Sequence, residues 1–324
     1  MNIFITGGAG YVGTVLTEQL IKLGHKITVL DLFMFGDHIQ DHKNLFKLKT
    51  DIRNFNNYKD YLQNVDVVIH LACISNDPSF ELNPKLGKSI NFDCFEPFVD
   101  ECFKKNVKKF IYASSSSVYG LKKEKDVIET MSLEPLTDYS FYKAECEKVL
   151  NNFSSKEFCT VSLRPATVCG YSPRQRLDLV VNILTNFAYH KNIIKIMGGD
   201  QLRPNININD MVNAYISIIN ANSEKVNGEV FNVGFENHSV NDLAKLIRSS
   251  IKNKIELIYE KTDDNRSYHI SSNKIVDLLN FKYNFTIKDA IEDLLFAFDN
   301  KDLINTFNNS NFFNIKKMQE LKLK

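Results

Sequence analysis

Four glycines in the run Thr6-Gly7-Gly8-Ala9-Gly10-Tyr11-Val12-Gly13 have the spacing of a turn that holds phosphate. Gly8, Gly10 and Gly13 fit G-x-G-x-x-G, and Gly7, Gly10 and Gly13 fit G-x-x-G-x-x-G. A side chain at these positions would block the tight turn, the approach of backbone to a pyrophosphate, or the packing of helix on strand. A helix starting there turns unpaired N–H groups and a positive dipole end toward phosphate oxygens. Asp31 closes the next apolar run, Lys26-Ile27-Thr28-Val29-Leu30. A carboxylate at that place accepts from both ribose hydroxyls of an adenosine and repels a 2′-phosphate, which selects NAD over NADP.

Other chemically capable residues lie further along. Asp51, followed by Ile52, is placed to accept from an adenine amino group with the isoleucine against the ring; a helix N-cap and a core isoleucine explain the pair more plainly. Leu71, Ala72 and Cys73 end another apolar run, and the small Ala72 and Cys73 leave space for a cofactor. Asn91 is polar among apolar neighbours. Ser114-Ser115-Ser116-Ser117 follow a fifth apolar run, where a serine-rich loop is the default explanation. Tyr139 and Lys143 are four apart and share a helix face, a pairing that chance often produces on surface helices. Tyr142, next to Lys143, faces elsewhere.

These residues need elements to carry them. The apolar runs predict strands at Ile3–Ile5, 26–30, 45–48, 65–72, 108–113 and 158–165. Between them, helical spacing predicts helices after Gly10, over 84–105, and from Pro135 to about Phe153. Alternating strands and helices mean an α/β, Rossmann-type doubly wound parallel sheet over residues 1–170. Its ligand edge is the carboxyl ends of the strands, where the glycines, Asp31, Ala72 and the serines all fall. Residues 171–300 read as a smaller α/β domain interleaved with the end of the first. Helices are expected near 177–190, 209–222, 240–252, 273–280 and 286–299, with strands near 193–197, 230–233 and 255–259. Residues 301–324, rich in Asn and Lys, read as a tail, either frayed or an oligomer arm.

Composition narrows the classes. The 324 residues carry 40 Lys and Arg against 39 Asp and Glu, with no long basic stripe, so nucleic acid is not an expected partner. No apolar run approaches membrane-spanning length, so no membrane is expected either. Met1 leads directly into the first strand, which predicts a cytoplasmic protein. Cys73, Cys94, Cys102, Cys146, Cys159 and Cys169 show no C-x-x-C spacing and read as reduced thiols. Scattered histidines without H-E-x-x-H give no metal site.

Thr6 to Gly13, Asp31, Asp51-Ile52, His70-Leu71-Ala72, Asn91, Ser114 to Gly120, Tyr139 with Lys143, and Arg164-Pro165 occur here in one order. Together they resemble the extended short-chain dehydrogenases/reductases, of the NAD-dependent epimerase/dehydratase type that act on nucleotide sugars. The resemblance implies NAD as cofactor and a nucleoside-diphosphate sugar as substrate, bound by the second domain. Gly7, Gly10, Tyr11, Val12, Gly13, Asp31, Asp51, Ile52, Leu71, Ala72, Asn91, Tyr139 and Lys143 are the implied cofactor contacts. Tyr139 is the implied general base and acid. A free phenol titrates near pH 10; an ammonium one turn away, with the positive nicotinamide, favours the phenolate. Lys143 is also expected to hold the nicotinamide ribose, and Ser115 to bridge a sugar hydroxyl and Tyr139. Ser116, Arg174, Arg203 and Arg266 are the implied substrate contacts, the arginines suiting diphosphate oxygens.

The serine loop also sorts reactions within that family. Dehydratases and decarboxylases of this type carry acids where this chain has Ser116 and Ser117, and 3,5-epimerases carry a cysteine at the Ser117 position. Expelling water or enolising a ketone without an ionisable group is hard. What remains is oxidation at one carbinol, C4 by resemblance. Hydride return to the other face makes a 4-epimerase, the leading expectation. Release of the keto-sugar makes a 4-dehydrogenase, for example of a GDP-heptose, and the reverse direction a ketone reductase. A catalytically silent NAD-sensing protein is a further alternative, although such relatives generally lack the Tyr/Lys pair. The resemblance also implies a homodimer or higher oligomer through the helices near 88–105 and 138–153, using Phe92, Phe95, Phe98 and Val99.

Overall fold

In the computed structural model, which describes residues 1–122, 124, 126–262 and 269–323, the apolar runs become neighbours in one sheet. The strands are β1 (Asn2–Thr6), β2 (Lys26–Asp31), β3 (Leu45–Lys49), β4 (Val67–His70), β5 (Lys109–Ala113), β6 (Cys159–Pro165), β7 (Thr167–Cys169), β8 (Ile193–Met197), β9 (Leu202–Asn207), β10 (Glu229–Val233), β11 (Glu236–Ser239) and β12 (Glu256–Glu260). Seven of them form a sheet in the order β10-β6-β5-β4-β1-β2-β3. Every pair in it is parallel. The chain therefore has the Rossmann-type doubly wound fold read from its sequence.

Side chains alternate across this sheet, so each strand feeds two cores. Ile3, Ile5, Val67, Ile69 and Ile111 pack on one face with Leu16, Met211 and Tyr215. Phe4, Val68 and Phe110 pack on the other with Tyr58, Phe95 and Phe98. Strands covered on both faces read as continuous apolar runs, which is why they were visible in the sequence. The helix Ile208–Asn220, though distant in sequence, belongs to the first core. Buried Lys109 on β5 donates to the Ile218 and Ala221 carbonyls at its end, both at 2.8 Å, where a cation is favoured.

The expected helix over 84–105 is three pieces: Pro84–Lys88, a π-helical segment Ser89–Asp93, and Phe95–Lys104. The wide turn holds Asn91, and such turns often mark functional sites. The helix Asp138–Asn152 starts at a capping box of Thr137 and Ser140. Phe95, Phe98 and Val99 are fully buried on the sheet. They are core residues and not available to a helix bundle between subunits, whereas Phe92 is half-buried.

Beyond β6 two small sheets form, β11-β9-β7 and β12-β8. β8, β10 and β12 match expectation, whereas β7, β9 and β11 do not read as strands. β9 buries Asn205 and Asn207, polar residues that disguise it. The stretch after Asn300 is neither frayed nor extended: a turn at Ser310–Phe312 leads into the helix Asn314–Leu321, with Phe312 and Met318 buried. No described helix is long and apolar enough to cross a membrane.

Candidate active site

The order of the large sheet reverses between β4 and β2, with β1 in the middle, and a cavity of about 570 Å³ opens at the carboxyl ends of these strands. The glycine loop forms its floor. Gly7 has φ +72°, and a Cβ there would stand 2.6 Å from the Ala72 nitrogen. A Cβ on Gly13 would strike the Gly7 carbonyl. Tyr11 fixes this loop from the far side: its hydroxyl donates to the Gly170 carbonyl at 2.7 Å, and its own carbonyl accepts from Ser172 Oγ at 2.8 Å. Val12, Leu71 and Ala72 line the cavity as expected.

Asp31 faces the cavity and accepts from the Ala9 and Phe33 amides at 2.9 and 2.8 Å. Burial raises its pKa, and those two hydrogen bonds together with the charge of Arg174 pull it back down. Asp51 also lines the cavity, but it is not a helix cap; Asn54 occupies that place in the following turn. Its carboxylate is gripped by Arg53, with Nη2–Oδ2 at 2.7 Å and Nε–Oδ1 at 3.0 Å. Against the upward pull of burial, Arg53 holds the Asp51 carboxyl below the usual carboxylate range. Ile52 is both core and cavity wall. Asn91 braces a loop at the cofactor edge. It is buried away from the cavity lining, where its side chain accepts from the Ile74 amide at 2.8 Å and donates to the Ile74 carbonyl at 3.0 Å. It positions the loop after β4.

The serines are braced from beneath. Ser114 donates to Glu147, and Glu147 is paired bidentately with Arg164 at 2.6 and 3.0 Å. Arg164 also donates to the Tyr119 hydroxyl at 2.7 Å, and Tyr119 to Asn232 at 2.7 Å. This buried network explains Arg164 and Asn232, and it fixes the loop that carries Ser115 and Ser116. Ser115 Oγ lies 2.8 Å from Ser117 Oγ, and Ser115 favours the Tyr139 phenolate. Both Ser115 and Tyr139 line the cavity.

Lys143 shares the helix face of Tyr139, as the spacing predicts. Its ammonium is seated on the Ala113 carbonyl at 2.5 Å and over the Tyr112 ring at 5.0 Å, buried outside the cavity lining. It stands 5.8 Å from the centre of the Tyr139 ring. Burial, then Cys73 and Asp77, push the Tyr139 phenol well above its ordinary value, and the charge that lowers it most is Arg176. Arg176, from the loop after β7, and Lys143, one helical turn away, are thus both cations near the tyrosine.

That loop holds two buried arginines. Arg174 stacks on Phe35 at 3.5 Å and donates Nη2 to Asn314 at 2.8 Å. Arg176 donates to Asp178 at 2.9 Å and to Ser75 at 3.3 Å. Arg174 Nε and Nη1 and Arg176 Nη2 are buried without a hydrogen-bond partner among the described residues. Burial and then Arg176 pull the Arg174 guanidinium down to about 9. Buried donors without partners beside a cavity are costly, and an anionic ligand would satisfy them. Arg203 reaches the same cavity from β9, and Arg266 lies outside the described residues. Asp77, Arg176 and Asn314 are not among the site residues read from the sequence, and Cys73 is read there only as a small residue that leaves space. Cys73 and Asp77 follow β4 at the ligand edge, Arg176 shares a loop with Arg174, but nothing in the sequence marks Asn314.

Residues 3–234 match the model of the NAD dependent epimerase/dehydratase family. The chain belongs to that family. Its cofactor is NAD, and the cleft fits one: a glycine cradle with no room for side chains, an acid at the end of β2, and unpaired buried arginine donors. The chain is 31% identical over 249 residues to the uncharacterized UDP-glucose epimerase YtcB of Bacillus subtilis, covering 72% of this chain and 77% of that one. It is 28% identical over 270 residues to a UDP-N-acetyl-alpha-D-glucosaminuronate decarboxylase of Bacillus cytotoxicus, covering 76% and 81%. Among solved structures, the UDP-glucose 4-epimerase of Thermotoga maritima with UDP-glucose superposes with a TM-score of 0.84 at 24% identity, over 93% of this chain and 99% of that one. Among the described residues no cluster of His, Cys, Asp and Glu could hold a metal ion.

Proposed function

We propose that the protein is an NAD-dependent nucleotide-sugar 4-epimerase. The observation that carries this reading is that Ser115 and Tyr139 line one cavity of an NAD-binding fold, with Ser115 in a loop whose other members are serines. Bound NAD supplies a two-electron acceptor for hydride. The chain's own residues supply the proton chemistry. Tyr139 takes the proton from the C4 hydroxyl as hydride leaves C4, and Ser115 holds that hydroxyl. Arg176 favours the phenolate, the form able to accept the proton. After the ketone presents its other face, hydride returns to C4 and Tyr139 gives the proton back. Arg174, Arg176 and Arg203 are the cations available to diphosphate oxygens.

Ser116 and Ser117 offer no carboxylate or thiol for elimination, decarboxylation or enolisation. The test is product analysis after incubation with a panel of UDP-, GDP-, CDP- and dTDP-sugars. A C4 epimer without lasting NADH absorbance supports the reading. A keto-sugar with stoichiometric NADH replaces it with a 4-dehydrogenase, and a deoxy-keto or decarboxylated product rejects it.

A further inference from the structure

We infer that the terminal segment 310–323 is part of the cofactor site, a clasp across the mouth of the cleft in which Asn314 slows the release of NAD. The family model ends at residue 234, so membership assigns this segment no role. On one side the segment is anchored to the loop after β7, where the Leu177 amide donates to the Phe312 carbonyl at 2.9 Å. On the other side Met318 is buried in the core that holds Phe4, Ile74 and Phe80, with Leu323 at its edge. Between these anchors Asn314, itself buried, joins the two loops that flank the cleft. Its amide donates to Asp178 at 2.9 Å, its side-chain oxygen accepts from Arg174 at 2.8 Å, and its side-chain nitrogen donates to Ser75 at 3.0 Å.

Asn314, Met318 and Leu323 line the same cavity as Gly10, Asp31 and Tyr139. A dinucleotide reaching from Asp31 to Tyr139 therefore shares its walls with the terminal helix. Asn314 also fixes the arginine that carries unpaired donors, Nε and Nη1 of Arg174. Held this way, the guanidinium is pre-oriented for an anionic group and loses little freedom on gripping it. Leaving the cleft then requires the bonds of Asn314 to open. The clasp rests on the family's cofactor and not on the reaction proposed above.

Asn314 acts through Arg174, so it is a positioning residue. The full-length protein is loaded with NAD, and exchange against a fluorescent etheno-NAD is followed with no sugar present. Asn314→Ala loses two side-chain hydrogen bonds and exchanges about tenfold faster than the parent chain. Asn314→Asp keeps an acceptor for Arg174 and restores slow exchange. Ser75→Ala removes one anchor, leaves the packing intact, and gives an intermediate rate. Equal exchange rates in the parent, Asn314→Ala and Ser75→Ala overturn the clasp, even if the variants melt earlier. Because no sugar is present, that failure is separable from failure of the 4-epimerase reading.

Discussion

The two walls of the cleft are built on opposite principles. Beneath the serine loop, Ser114, Glu147, Arg164, Tyr119 and Asn232 satisfy one another completely enough to form a rigid floor. Across the cavity, Arg174 and Arg176 keep buried donors without partners among the described residues. A satisfied network fixes geometry in the empty protein, whereas an unsatisfied one costs stability until a ligand arrives. The floor positions the groups that react; the opposite wall is finished by what binds.

Five substitutions can break or sharpen that contrast. The largest effect falls on the reacting group itself: Tyr139→Phe removes the proton carrier and lowers kcat about 10²–10⁴-fold, measured on whichever nucleotide sugar turns over, while NAD still binds. Full activity in this variant would remove Tyr139 from the chemistry. In the floor, Glu147→Ala leaves Arg164 buried without its carboxylate and costs about 3–5 kcal/mol in urea unfolding. A loss below about 1 kcal/mol, the range of surface pairs, would mean that the floor is not the rigid element described here.

In the opposite wall the sign reverses. Arg174→Met removes a buried charge, keeps a flexible side chain over Phe35, and raises the melting temperature of the ligand-free protein by about 2–4 °C. The same variant gains less stability from added NAD or nucleotide sugar. A lower ligand-free melting temperature would show that this arginine already has its full complement of contacts. The smallest effect is on pH dependence. The Asp77 carboxylate disfavours the Tyr139 phenolate, so Asp77→Asn moves the rising limb of the pH–rate profile down by about half a unit to one unit. Arg176→Leu moves it up, because it removes the charge that favours the phenolate. Profiles that do not shift, or shift the other way, would separate these side chains from the tyrosine.

The sheet and its glycine loop were legible in the sequence because local rules govern them. Parallel strands covered on both faces must be apolar throughout, and Val67 to His70 or Lys109 to Ala113 read that way. The glycines near residue 10 were legible because only a residue without a Cβ fits against Ala72 and Gly7. On the opposite wall the resemblance named Arg174 and Arg203, but not the terminal segment that holds Arg174, because it is remote in sequence. Asn314 meets Arg174 and Ser75 across 140 and 239 positions, and nothing local marks an asparagine for that purpose. Spacing placed Lys143 on the face of Tyr139, 5.8 Å from the ring centre, but nothing local marks Arg176 as a second cation beside the phenol. Likewise nothing local shows that Arg53 grips Asp51 or that Asn91 is turned toward Ile74.

The most direct test of the central claim follows the hydrogen on C4. A nucleotide sugar deuterated at C4, chosen as the one that turns over, is converted to completion in ordinary water and analysed by NMR and mass spectrometry. Removal and return of hydride within one closed site predict the C4 epimer with its deuterium retained and no net NADH. Loss of the deuterium to solvent, a deuterated NADH that accumulates, or a product changed at C5 or C6 would contradict the account.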